Sequence, residues 1–226
     1  MKRSLLSLLS ASILACSATA ASASTTFVGF SNSGFFNSGA TSASTNGNFA
    51  TGWFVAGITE EIRDWFSFDL SGVTGTITAA TLNLQMPASG FLSPDPTETL
   101  TIFDVTTSPA TLALHNPTTA IFDDLGTGTV YGSADIAFVP AGNSVQVPLN
   151  ATGVAFLNAH KSLFAFGGAV TSFSPTDTQT QALFNSSNFD NFVSLTLQIA
   201  DAPEPSSVGI LGCGFLALLR RRRPAR

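Results

Sequence analysis

The chain is predicted to fold as an all-β domain, an antiparallel β-sandwich of jelly-roll-like order with one short helix, and three features of the sequence carry that prediction. The stretch from Ser24 to Ala202 is rich in Thr, Ser, Asn, Gly and Phe and poor in Lys and Glu, a composition that favours pleated strands over helices. Turn residues recur about every ten positions. Period-two alternation is plain in Phe192–Ile199, where Val193, Leu195, Leu197 and Ile199 face one way and Ser194, Thr196 and Gln198 the other.

In chain order, Lys2 and Arg3 precede the apolar stretch Leu5–Ala15, and small residues follow at Ala18-Thr19-Ala20 and Ala21-Ser22-Ala23. This is the three-region pattern of a secretory signal peptide over residues 1–23, read by signal peptidase, with cleavage expected after Ala23 and Ala20 as the alternative. Ile13-Leu14-Ala15-Cys16 loosely resembles a lipoprotein cleavage box, which would acylate Cys16. The sandwich domain is assigned to residues 24–202. Strands are expected at Thr25–Phe30, Asn48–Val55, Arg63–Leu70, Ala80–Met86, Thr99–Val105, Ala134–Val139, Ser144–Leu149, Leu163–Gly167 and Phe192–Ile199. The Ser/Asn/Gly/Ala run Ser31–Gly47 and the proline-bearing Met86–Thr97 read as long loops. Asn150-Ala151-Thr152 offers capping oxygens ahead of Val154, Phe156 and Leu157, so two or three helical turns are expected there, closing one end of the sandwich, with His160 and Lys161 near the helix end.

The last stretch, Pro203–Arg226, has three parts. Pro203 and Pro205 lack amide donors, stop the preceding strand and hold Glu204 in an accessible extended turn. Ser206–Leu219 carries no charge and can become a helix of roughly 21 Å at about 1.5 Å per residue, short against a hydrocarbon core of about 30 Å. Arg220, Arg221, Arg222 and Arg223 then flank it, and arginines so placed snorkel to the cytoplasmic interface and leave the body outside. Ala202-Pro203-Glu204-Pro205, the Gly/Leu-rich segment and the arginine run resemble the PEP-CTERM sorting signal of exported Gram-negative bacterial proteins; family members often carry Val where this chain has Ala202. The resemblance implies transient anchoring in the inner membrane, processing near the Pro-Glu-Pro motif by an exosortase, and a cell-surface or extracellular destination in bacteria that make exopolysaccharide and biofilm matrix.

A second resemblance covers about thirty residues. Arg63-Asp64-Trp65-Phe66-Ser67-Phe68-Asp69-Leu70, then Ile77-Thr78-Ala79-Ala80-Thr81-Leu82-Asn83-Leu84, is similar to the opening of the β-sandwich domains named for a DNRLRE motif, although that motif is absent. Relatives include carbohydrate-binding modules, so this resemblance too implies a sandwich.

Charge and cysteine usage exclude several classes of function. Between Ser24 and Ala202 there are thirteen acidic side chains against Arg63 and Lys161, a net −11, a field that repels nucleic acid. Cys16 and Cys213 both lie outside that stretch, which leaves no thiol for catalysis or zinc binding. No Gly-x-Ser-x-Gly elbow is present, and His115 and His160 sit in no metal-ligand spacing. Glu60-Glu61 and Asp123-Asp124 are paired acids, but adjacent strand residues point to opposite faces. No catalytic residue and no cofactor is therefore assigned, and the chain is expected not to be an enzyme.

Two site expectations remain. Asp123 and Asp124, beside the Gly126-Thr127-Gly128 turn, are candidate ligands for a structural calcium, with Asp95 and Glu98 in another loop. For a glycan the candidates are Trp65, Arg63 and Trp53. Trp65 alternates with Phe66 and Phe68, so it faces away from their core, either open to ligand or covered by a loop or a second sheet layer. Arg63 is expected to pair with Asp64, Asp69 or a loop carbonyl, or to bind an acidic sugar.

Overall fold

A computed structural model of the chain describes residues 23–55, 59–188 and 190–200. The leader, the sorting motif at Pro203, Glu204 and Pro205, the following helix and Arg220–Arg223 lie outside the described residues. Ala23–Asp201 form one compact unit. Among the described residues no helix is long and apolar enough to cross a membrane.

The unit is built from antiparallel strands in two sheets. The strands are β1 (Ala23–Gly29), β2 (Asn32–Asn37), β3 (Thr51–Phe54), β4 (Glu60–Asp69), β5 (Thr76–Gln85), β6 (Phe91–Leu92), β7 (Thr97–Asp104), β8 (Val130–Ala137), β9 (Ser144–Pro148), β10 (Leu163–Val170), β11 (Gln181–Leu183) and β12 (Val193–Ala200). Three helices are interspersed, α1 (Pro109–Leu112), α2 (Thr119–Asp124) and α3 (Ala151–Ala159). A four-stranded sheet runs β1-β12-β5-β9, and an eight-stranded sheet runs β6-β11-β3-β4-β10-β7-β8 with β2 added against β4.

Alternation dictates which side of each strand is dry. Leu195 and Leu197 of β12 and Leu82 and Leu84 of β5 meet Phe66 and Phe68 of β4 and Phe164 and Phe166 of β10 in one apolar cluster shared by both sheets. Complete burial of such a side chain contributes roughly 1.5–3 kcal/mol. Phe164 and Phe166 meet edge to face at 5.0 Å between centroids, the arrangement that ring quadrupoles favour.

The predicted helix at 150–159 is present as α3, capped as expected by Asn150, whose side chain accepts from Gly153 N at 2.9 Å. His160 ends it and stacks on Phe156 at 4.2 Å. The side chain of Asn158 bonds both main-chain groups of Ile77, accepting at 2.9 Å and donating at 2.8 Å. Those groups sit where the β5–β12 register shifts at Gln198/Ile199, so the helix satisfies backbone near the interrupted ladder.

Three expectations need correcting. The run Ser31–Gly47 is not all loop, because Asn32–Asn37 is a strand that pairs with β4 from Asn32↔Ser67 to Asn37↔Ile62. Its Ser, Asn and Gly residues look loop-like in isolation, yet Ser33, Phe36 and Asn37 are buried there. Likewise Met86–Thr97 contains the short strand β6, paired with β11. Two further helical turns, α1 and α2, join α3, their first amides capped by Ser108 and Thr118 side chains.

Candidate functional site

The residues singled out as glycan contacts sit on the face of the eight-stranded sheet turned away from the main core. Trp65 is completely buried there, packed with Phe36, Leu112, Ile121, Leu125 and Ala165 in a second, smaller cluster. The covering layer is therefore real, and the segment carrying α1 and α2 provides much of it. Both cross-strand partners of Trp65 are glycines, Gly34 on β2 and Gly167 on β10. A Cβ on Gly34 would stand 2.8 Å from the indole Nε1, and one on Gly167 would stand 2.7 Å from the Cα of Leu125. The absent side chains let the indole lie against one strand and the end of α2 against the other.

Arg63 is also engaged by the protein. Its Nε contacts Glu61 Oε1 at 2.6 Å, and Nη1 donates to the carbonyls of Phe122 at 3.1 Å and Asp123 at 3.3 Å. The guanidinium carbon lies 4.2 Å from the centre of the Phe122 ring. Arg63 thereby binds the last carbonyls of α2 and holds that helix on the sheet. The expected main-chain carbonyl partner comes from the end of a helix and not from a loop, and the acidic partner is Glu61, not Asp64 or Asp69. Glu61 is two residues away and shares the face of Arg63, whereas Asp64 is adjacent and points through the sheet.

Trp53 is half-buried on β3, in register with Glu61 and Gln181. It stacks on Phe173 at 5.7 Å and donates Nε1–H to the Asp177 carbonyl at 3.1 Å, which fixes the 173–177 loop. Along β4 its register position is four residues from Trp65, so the structure does not bring the two tryptophans into one site.

The paired acids diverge. Glu60 accepts from Asn37 Nδ2 at 2.6 Å, while Glu61 faces Arg63. The Asp123 carbonyl accepts from Arg63 and from Thr127 Oγ1. The Asp124 carboxylate accepts from the amides and hydroxyls of both Thr106 and Thr107, the shortest at 2.6 Å from Thr107 Oγ1. A cation at Asp124 would have to displace those donors. Among the described residues no three His, Cys, Asp or Glu side chains gather closely enough to hold a metal ion.

Partial burial opposes ionisation of Asp124, but the hydrogen bonds from Thr107 and Thr106 outweigh it and hold its pKa below the ordinary carboxylate value. A lowered folded-state pKa contributes stability that is present above about pH 3.9, the unfolded value, and is lost as pH falls through the folded one. Asp124→Asn is accordingly expected to lower the melting temperature at pH 7, with the difference from the parent shrinking toward pH 3. Thermal melts at both pH values check this.

One acid expected only as a partner of Arg63 is instead buried on the opposite face. Asp64 is fully buried on the face of β4 that carries Phe66 and Phe68, and neither carboxyl oxygen has a hydrogen-bond partner. Desolvation with no hydrogen bond to offset it pushes its pKa well above the ordinary value. Beside Trp65, the indole Nε1 and His115 Nδ1 are likewise buried without partners, with ring centres 6.3 Å apart. Together these contacts make Trp65 and Arg63 supports of the fold. No protein-family model matches this chain, and no curated protein matches it.

Proposed function

We propose that the chain is an exported, non-enzymatic protein of the cell surface or extracellular matrix, sorted through a PEP-CTERM/exosortase system and associated with exopolysaccharide. The observation that carries this reading is the order of parts in Pro203–Arg226: a Pro-Glu-Pro turn, fourteen uncharged residues and four arginines, appended to a body of opposite charge. A weak hydrophobic span with a one-sided arginine flank suits temporary retention in the inner membrane better than permanent anchoring. The sandwich-like body, with a jelly-roll-like order as the finer reading, is then the cargo. The engagement of Arg63, Glu61 and Asp124 by protein partners favours a binding or structural role over hydrolysis by paired acids.

The test is to express the chain in an exosortase-bearing host and in the same host lacking that enzyme. The expected outcome is surface or medium localisation only in the first, and retention in the inner membrane in the second. Substitution of Pro203, Glu204 and Pro205 by alanine should reproduce the retained state. Equal release from both hosts would refute the sorting reading.

A further inference from the structure

The four-stranded sheet differs from the eight-stranded one in that none of its strands, β1, β5, β9 and β12, carries an Asp, Glu, Lys or Arg. The body around them carries a net −11, and β4 alone holds Glu60, Glu61, Arg63, Asp64 and Asp69. An apolar inner face explains half of that absence, since Leu82, Leu84, Leu195 and Leu197 are buried. The outer face is not buried as a whole: Thr25, Ala79, Gln146 and Gln198 are exposed on it. Solvent-facing strands ordinarily carry charge, which also protects sheet edges from pairing.

Amides and hydroxyls take the place of charge on that outer face, and they are already tied together. Asn83 in the centre donates Nδ2–H to Thr196 Oγ1 at 2.9 Å and accepts from Gln146 Nε2 at 3.3 Å, which links β9, β5 and β12. Thr25 Oγ1 donates to Gln198 Oε1 at 3.2 Å, which links β1 to β12. A floor fixed in this way loses little side-chain entropy when a ligand settles on it.

Two exposed phenylalanines belong to the same face. Phe27 on β1 is 71% exposed and registers with Thr196, and Phe192, just before β12, is 53% exposed and alternates with the buried Val193. Four residues along a strand at about 3.3 Å each, with one strand spacing of about 4.8 Å, put the two positions roughly 14 Å apart. Asn83 and Ser194 lie buried at the centre of this face, so the apolar C–H faces of two sugars in one chain can stack on such rings while their hydroxyls meet the exposed Gln146 and Gln198 and the half-buried Thr196.

We propose that this outer face binds an extended neutral polysaccharide, which names the polymer class within the exopolysaccharide reading above and rests on it. Charge decides the class. An anionic polymer would meet the repulsion of a net −11 body with no cation among the described residues of the face to compensate, whereas a polyol exchanges hydrogen bonds without desolvating any ion. A second copy of the chain fits less well, because a protein interface needs a contiguous apolar centre and these two rings are separated by polar side chains.

Affinity electrophoresis of the full chain in mild detergent, through gels containing hydroxyethylcellulose, galactomannan or polygalacturonate, tests the proposal. Retardation is expected by at least one neutral polymer and not by polygalacturonate. Phe27→Ala and Phe192→Ala should each weaken it about tenfold, a loss of the size expected for a stacked ring, with unchanged melting temperature, while Leu163→Ala, an exposed apolar position on the other sheet, leaves it intact. No retardation by either neutral polymer, equal retardation by polygalacturonate, or indifference to both phenylalanine substitutions would overturn it. So would a dimer that Phe27→Ala converts to a monomer in a protein retarded by no polymer. A product that is sorted and processed but binds neither neutral polymer counts against this proposal alone; one that binds them but is never processed counts against the sorting reading alone.

Discussion

Trp65→Ala is expected to lower the unfolding free energy by about 3–5 kcal/mol, the usual cost of emptying a fully buried aromatic site. The indole fills the second cluster between β4 and the α1–α2 segment, and its loss leaves Leu112, Ile121 and Leu125 without their central contact. Trp65→Phe should cost much less, because the indole N–H has no partner to lose. Gly167→Ala should act on the same cover from the other side, at about 1–3 kcal/mol, since the added methyl meets the backbone of Leu125 and not a side chain that could rotate away. Urea unfolding of the three variants checks these values. A Trp65→Ala protein as stable as the parent would mean that the indole is not a pillar of the fold.

Asp64→Asn is expected to do the opposite at neutral and alkaline pH. Burial raises the folded-state pKa of Asp64, so the folded protein binds this proton more tightly than the unfolded chain does. The sign follows directly: stability from this group is greatest where both states are protonated, and it declines as pH rises from about 3.9 toward the folded pKa. Its cross-strand neighbours, Phe35 and Gly168, bring no charge to compensate. Asp64→Asn removes that slope while keeping the shape of the group, and should raise the melting temperature by several degrees at pH 8 with little effect at pH 4. Asp69 and Asp124, whose pKa values are lowered by hydrogen bonds, pull the parent curve the other way at acid pH. The difference between variant and parent is therefore the quantity to measure, and a difference independent of pH would show that Asp64 ionises freely in the folded protein.

Much of the secondary structure was legible because alternation and capping are local signals. Phe192–Ile199, Arg63–Leu70 and Ala80–Met86 alternate over enough residues to show their dry face, and all three coincide with strands. Asn150 announced α3 through its side chain. The orientation of Trp65, opposite to Phe66 and Phe68, was also legible, but its cover was not, because Leu112 to Leu125 lie some fifty residues further along the chain. The strand β2 escaped for the same reason: Gly34 is suited to a strand only when Trp65 of β4 lies across from it. The pairing of Arg63 with Glu61 could have been read from period two alone. The uncharged face needed the order β1-β12-β5-β9, since four strands scattered from Ala23 to Ala200 form one surface only after folding.

The central claim is that Pro203–Arg226 is a removable sorting signal and the sandwich-like body its cargo. An intact-mass spectrum of the protein recovered from the surface or medium of an exosortase-bearing host tests it most directly. The account predicts a product trimmed of the leader near Ala23 and ending close to Pro203-Glu204-Pro205, with the apolar segment and the arginines gone. A mature product that still carries Ser206–Arg226 would contradict it.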